Sequence, residues 1–188
     1  MFLTTSMMYL LNRSDNYEAL RRVREEASVL EPTYESLKKF SFGEACVNET
    51  TRMAPIIGSV SYFIPEGKAF KIREKDIERP VVLNFNSSNW YKDDDVFENA
   101  KTFLPERWLP GEKEVSNFAR SIFRPFGFGR HLCLGFPLAK LVMNANLYCF
   151  ARNGDRSIKF DEDKVKLEPG IFPAYKVCDG FIGEVVAK

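Results

Sequence analysis

The sequence is short of the features that define several common protein classes. It has no C-x-x-C pair: Cys46, Cys133, Cys149 and Cys178 stand far apart. A zinc ribbon or a redox dithiol is therefore unsupported. Four such cysteines in 188 residues do not outline a disulfide framework either, and free thiols in a reducing compartment are the simpler expectation. Net charge is nearly absent, with 27 basic against 26 acidic side chains. No general pull toward nucleic acid or anionic membrane follows from that balance. Long apolar runs are missing too. The opening MFLTTSMMYLL has eleven residues, where a spanning helix needs ~20. It lacks the basic first segment and small-residue cleavage site of a signal peptide. Repeats and low-complexity segments are absent, and there is a single histidine, His131.

What is present suffices for a folded core. Hydrophobic residues make up 45% of the chain, as in soluble globular proteins, and the length is that of one domain or a piece of a larger one. The opening segment reads as a helix ending near Asn12. Asp15 to Ala27 reads as a charged surface helix capped by Asp15, with Leu20 and Val23 at core spacing. Thr33 to Leu37 is a short helical piece, and Phe42 to Met53 a further helix stopped by Ala54-Pro55.

The pattern then changes to β. Ser59 to Ile64 alternates, Pro65-Glu66-Gly67 offers a turn, and Ala69 to Ile72 runs extended, which predicts a hairpin. Val81 to Phe85 is another strand. Asn86 to Glu114 reads as irregular, with Trp90, Phe97, Phe103 and Trp108 as anchors, and Asp93-Asp94-Asp95 as a solvated turn or helix start. A strong helix is predicted over Leu134 to Arg152. Its core face is Leu134, Leu138, Leu141, Val142, Ala145, Tyr148 and Cys149, and Asn153-Gly154 stops it. The tail returns to strands at Ser157 to Phe160 and at Tyr175 to Val186, with a turn at Asp179-Gly180.

One stretch carries chemistry: FRPFGFGRHLCLGFPLAKLVM, Phe123 to Met143. Gly127, Gly129 and Gly135 permit tight turns and close main-chain approach to a ligand. Cys133 is expected at the start of the following helix, where unpaired N–H groups and the helix dipole favour a thiolate. Phe126 and Phe128 offer flat apolar surface, while Arg130 and His131 offer groups that hold carboxylates. Together these suit a flat apolar cofactor with a metal centre and acidic edges, which describes haem. A lone cysteine at a helix start is ordinarily a small buried hydrophobe. Here the spacing F-x-x-G-x-(basic)-x-C-x-G fixes Phe126, Gly129, His131, Cys133 and Gly135 together.

This segment resembles the haem-ligand signature of the cytochrome P450 family, continued by Leu138-Ala139 on the next helix. Two further motifs stand in the family's order. Glu49-Thr50-Thr51-Arg52 matches its E-x-x-R, and Pro105-Glu106-Arg107-Trp108 matches its Pro-Glu-Arg-aromatic segment. The resemblance implies a mainly α fold with small β sheets, the C-terminal portion of the cytochrome P450 fold. It implies Cys133 as the axial ligand of haem b (iron protoporphyrin IX) iron and as the catalytic residue. Phe126, Gly127, Gly129, Arg130, His131 and Gly135 would surround the cofactor, and Glu49, Arg52 and Arg107 would form a buried structural triad. Phe126 would shield the sulfur. His131 stands where the family usually has a propionate-binding arginine, with Arg130 sharing that task.

The resemblance thins in two places. Family members are far longer, so residues 1–188 are expected to be a single partial domain, the C-terminal haem-binding half. MFLTTSMMYLL would be the tail of the long distal helix, with Thr4 and Thr5 as ordinary helix residues. Many members also place a propionate-binding arginine on the strand after E-x-x-R, and here no basic residue lies between Arg52 and Lys68. Substrate contacts carry over to Ile56 to Val60 and Ile171 to Pro173. The implied activity is a monooxygenase that inserts one atom of O₂ into a small apolar substrate, with electrons from an NADPH-dependent reductase or a ferredoxin. Nucleic acid is not an expected partner, and membrane contact would come only through the absent N-terminal part. For a eukaryotic parent the expected place is intracellular, at the endoplasmic reticulum membrane. The alternatives are a truncated non-catalytic fragment of such an enzyme and a peroxide-driven haem-thiolate isomerase or dehydratase.

Overall fold

Four helices gather the main core in the computed structural model, which describes residues 2–67, 71–111, 115–153, 156–160, 167–169, 175–177 and 183–187. They are α1 (Phe2–Asn12), α2 (Tyr17–Val29), α4 (Ser41–Met53) and α7 (Phe136–Arg152). Met7, Leu11, Val23, Ala27, Phe40, Cys46 and Leu147 meet in it and are fully buried. The short α3 (Tyr34–Leu37) starts where Thr33 accepts a hydrogen bond from the Ser36 amide, a side-chain cap of the usual kind. At α4 the cap comes from a neighbour. The Glu26 carboxylate of α2 accepts from the Phe42 and Gly43 amides at 3.0 and 2.9 Å, which satisfies two orphan donors and complements the helix dipole.

The α2 boundary differs from the expectation. A 3₁₀ turn occupies Ser14–Asn16, and α2 begins at Tyr17. Asp15 caps nothing: its carboxylate instead accepts from the Arg13 guanidinium at 2.9 and 3.0 Å. An arginine two residues away competed for the carboxylate and won, since charge-assisted bonds are the stronger kind. Leu20 and Val23 are buried as expected.

The expected face of α7 is also corrected. Met143, Asn144, Leu147, Tyr148 and Ala151 face the core. Leu134, Leu138, Leu141, Val142 and Cys149 are exposed, Leu134 completely. The helix is apolar on both faces, so periodicity alone does not tell which one is turned inward.

Among the described residues, strand β1 (Val60–Ile64) does not pair with Lys71–Ile72 after the Gly67 turn. Its partner is β4 (Val81–Phe85), antiparallel, with Tyr62 opposite Leu83. Between them β2 (Lys71–Ile72) and β3 (Lys75–Asp76) pair with each other. Alternation marks a strand but does not name its neighbour. In the tail β5 (Arg156–Phe160) pairs with β8 (Gly183–Ala187), and β6 (Leu167–Pro169) with β7 (Tyr175–Val177). Tyr175 to Val186 therefore holds two strands with different partners. Ile171 to Pro173, Gly154 and the expected turn at Asp179-Gly180 lie outside the described residues.

The segment read as irregular contains α5 (Ser87–Tyr91) and a 3₁₀ turn at Pro105–Trp108, followed by α6 (Asn117–Ile122). A second, smaller core forms here from Tyr91, Phe97, Ala100 and Ala119, with Trp108 and Phe123 against it. Trp90 is exposed, while Phe97 and Phe103 are buried. The acidic run is a turn tied to the backbone: Asp93 accepts from the Asp95 amide and Asp94 from the Ala100 amide. Among the described residues no helix is long and apolar enough to cross a membrane.

Candidate functional site: a cysteine loop on a buried charge network

Glu49 and Arg52 lie on α4, three residues apart, both with 0% exposure. Arg52 donates to the Glu49 carboxylate from Nε at 2.9 Å and from Nη2 at 2.8 Å. Arg107, 3% exposed, reaches the same carboxylate from the 3₁₀ turn, Nε to Oε1 at 3.1 Å. Two more donors complete the shell: Trp108 Nε1 at 2.9 Å and the Leu104 amide at 3.0 Å. One carboxylate thus accepts from five N–H groups.

Four further guanidinium donors are spent on carbonyls. Arg52 donates to Tyr91 O and to Thr102 O, and Arg107 to Glu98 O and Asn99 O. Buried charges persist only when paired and hydrogen-bonded in this way. The sequence motifs pointed to the three charged residues. The motif included Trp108 without naming it a donor, and the four carbonyls had no signal, because main-chain acceptors are common to every residue.

The cysteine loop sits beside this network. Cys133 N donates to Phe126 O at 2.9 Å, Gly127 N to Arg124 O at 3.0 Å, and His131 N to Phe128 O at 3.2 Å. The loop thereby folds back so that its two ends meet. Gly127 has φ +78°, and a Cβ there would lie 2.6 Å from His131 O. Both the conformation and the space demand glycine. Gly129 also has positive φ, with open space around it. A Cβ on Gly135 would stand 3.8 Å from Cys133 Sγ, an ordinary contact. Cys133 does not start the helix. Gly135 is the N-cap and Phe136 the first helical residue, because Cys133 and Leu134 are used to turn the chain into it. The thiol is nevertheless exposed, whereas Cys46 is fully buried and burial pushes its thiol pKa well up.

A cavity of ≈ 820 Å³ opens over the loop, within the range of small-molecule sites. Cys133, Phe126, Gly127, Pro125 and His131 form its floor. Leu3 of α1, Thr51 of α4 and the segment Ile56, Ile57, Val60 supply its other walls. Its polar side chains besides Cys133 are Thr51, Ser59, Ser61, Asn84 and His131, Ser61 and Asn84 being cross-strand partners on β1 and β4. Phe126 packs against Phe136, the rings tilted 45° with centroids 4.8 Å apart. Phe128 points elsewhere, to Tyr62 at 6.1 Å and into a neighbouring pocket. His131 meets the Tyr62 ring edge-on at 5.2 Å. Arg130 is exposed and does not line the cavity. Thr4 is an ordinary helix residue whose hydroxyl accepts from Asn146 at 3.4 Å. Leu3, Ser61 and Asn84 were not foreseen, since only the fold brings these separate segments over Cys133.

Comparison with known proteins gives the family. The family model described as "Cytochrome P450" matches residues 3–170. The mitochondrial 1,25-dihydroxyvitamin D(3) 24-hydroxylase of Rattus norvegicus is 33% identical over 148 residues, covering 76% of this chain and 28% of the relative. Its Mus musculus counterpart is 30% identical over 168 residues, covering 86% and 32%. The 3beta,22alpha-dihydroxysteroid 3-dehydrogenase of Arabidopsis thaliana is 29% identical over 171 residues, covering 89% and 34%. The chain therefore spans 28% to 34% of the length of these curated relatives. Two of them are named as mitochondrial, which lends no support to the endoplasmic reticulum expectation. A match across most of its length, over three motifs that the fold draws together, means that this chain belongs to the cytochrome P450 family of haem-thiolate monooxygenases.

Proposed function

We propose that this chain carries the haem-ligating side of an enzyme that inserts one oxygen atom of O₂ into an apolar organic substrate. The observation that carries the reading is Cys133 exposed on the floor of the ≈ 820 Å³ cavity, held by a glycine-dependent loop. The residues present fit haem b: one thiol on the floor, aliphatic walls, and hydroxyl, amide and imidazole groups on the cavity lining. Once bound, a thiolate-ligated haem supplies oxygen activation, with sulfur electron density favouring O–O cleavage.

This chain's own residues divide the remaining work. Cys133 Sγ would ligate the haem iron, and Phe126 would shield the sulfur from water. His131, with Ser59, Ser61 and Asn84, takes the acidic edges of the cofactor. Hydroxyl and amide donors share that role, since no basic residue lies between Arg52 and Lys68. Arg130 is exposed and off the cavity, so of the two residues only His131 lines it. Leu3, Ile56 and Ile57 exclude water and favour an apolar substrate. Glu49, Arg52 and Arg107 hold the loop's surroundings rigid. Electrons come from a reductase or a ferredoxin.

The test is a reduced, carbon-monoxide difference spectrum of the chain supplied with haem, beside Cys133→Ala. The expected result is a strongly red-shifted Soret band in the parent chain that the variant lacks. Identical spectra from the two would sink the reading.

A further inference from the structure

Tyr91 belongs to no sequence motif, yet it touches both halves of the site. It is the last residue of α5 and has 0% exposure. Its carbonyl accepts from Arg52 Nη1, and so joins the buried charge network. Its phenol oxygen, at the other end of the side chain, accepts from the Arg124 amide at 2.9 Å. Arg124 O in turn accepts from Gly127 N, and Phe126 O from Cys133 N. The Tyr91 ring is clamped edge-on by Phe97 at 6.2 Å and packed by Phe123 at 5.4 Å. Ser87 lies beside the hydroxyl, and burial pushes the phenol pKa up, so the group stays neutral and acts as a fixed dipole.

We propose that Tyr91 is a positioning residue, a strut that fixes the entry of the cysteine loop to the Glu49–Arg52–Arg107 network and thereby sets where the Cys133 sulfur stands. This rests on the reading of Cys133 as the haem ligand. The physical argument is local. The loop from Arg124 to Cys133 is largely exposed and contains two glycines with positive φ, so it has little packing of its own to fix it. A hydrogen bond from its first amide to a rigid, buried phenol removes that freedom where the chain enters the loop.

Tyr91→Phe tests this, because it deletes one oxygen and keeps the ring, the backbone carbonyl and hence the Arg52 contact. Val23→Ala, remote in the helical core, serves as a control that lowers stability without touching the loop. The first measurement is amide hydrogen exchange on the haem-free chain. Tyr91→Phe is expected to speed exchange at Arg124, Gly127 and Cys133 by about tenfold, the scale of one lost hydrogen bond. Amides of α4 and α7 should keep their protection relative to one another. Val23→Ala should show no such local excess.

The second measurement is the reduced carbon-monoxide spectrum of haem-loaded protein. Tyr91→Phe is expected to bind haem but to lose the red-shifted band several-fold faster than the parent chain. Loop exchange unchanged, or raised no more than the rest of the chain, overturns the proposal. So does a loosened loop with a red-shifted band as durable as the parent's, since Tyr91 would then hold the loop without setting the sulfur. If the parent chain and Cys133→Ala give the same spectrum, the haem reading fails and this inference with it.

Discussion

At Gly127 a single methyl group decides whether the cysteine loop can close. Gly127→Ala must force both a left-handed backbone, at about 1–2 kcal/mol, and a Cβ 2.6 Å from His131 O. Gly129→Ala carries the first cost alone, because nothing lies near it. Haem titration is expected to show a large loss of affinity for Gly127→Ala and a smaller one for Gly129→Ala; equal losses would mean that the His131 carbonyl contact is unimportant. Asp15 gives a residue-scale pH effect. Its hydrogen bond from Arg13 holds its carboxyl below the usual carboxylate range. A lowered folded-state pKa means that its stabilisation is present above the ordinary range and lost as pH falls through the lowered value. Asp15→Asn should therefore be slightly less stable than the parent at neutral pH. The gap in urea midpoints should close in strong acid. The effect is small, since the pair is exposed.

At the scale of elements, α7 is the informative case. Both its faces are apolar, and only contact with α1, α2 and α4 chooses between them. Leu147→Ala should cost about 2–5 kcal/mol, as a buried leucine in a packed core does. Leu134→Ala, at a fully exposed position, should stay within about 0.5 kcal/mol. Urea denaturation of the two variants checks the orientation, and the reverse order would contradict it. The strand after E-x-x-R tells a similar story. Its alternating residues marked β1, but the partner proved to be β4 across an intervening small hairpin. The partner of a strand is set by which segments the helices bring close, and nearness in sequence is only one route to that.

For the whole molecule, the Glu49 network is the joint between α4, the segment around Thr102 and Leu104, and the 3₁₀ turn that carries Arg107 and Trp108. Removing the anion leaves two guanidinium groups buried with carbonyls alone. Glu49→Ala is expected to destabilise by about 3–5 kcal/mol, the scale for breaking a buried pair on one side. Thermal unfolding with intact cooperativity and a much lower midpoint is the expected result. A change within about 0.5 kcal/mol, the range of ordinary surface substitutions, would show that the network adds nothing to stability. The cavity is also a whole-molecule feature, since its walls come from α1, α4, β1, β4 and the loop together.

By itself the sequence determined the family, the three motifs in order, and most helices, including the stop at Ala54-Pro55 and the burial of Leu20 and Val23. These features are local: caps, prolines, apolar spacing and a cysteine among glycines act within a few residues. Tertiary structure alone decided which face of α7 is buried, which strand pairs with β1, and that Glu26 rather than a local side chain caps α4. It alone brought Leu3, Ser61 and Asn84 to the cavity and Tyr91 to the loop. Each of these depends on contacts between segments far apart in the chain, where many pairings have similar local cost and only packing of the whole selects one.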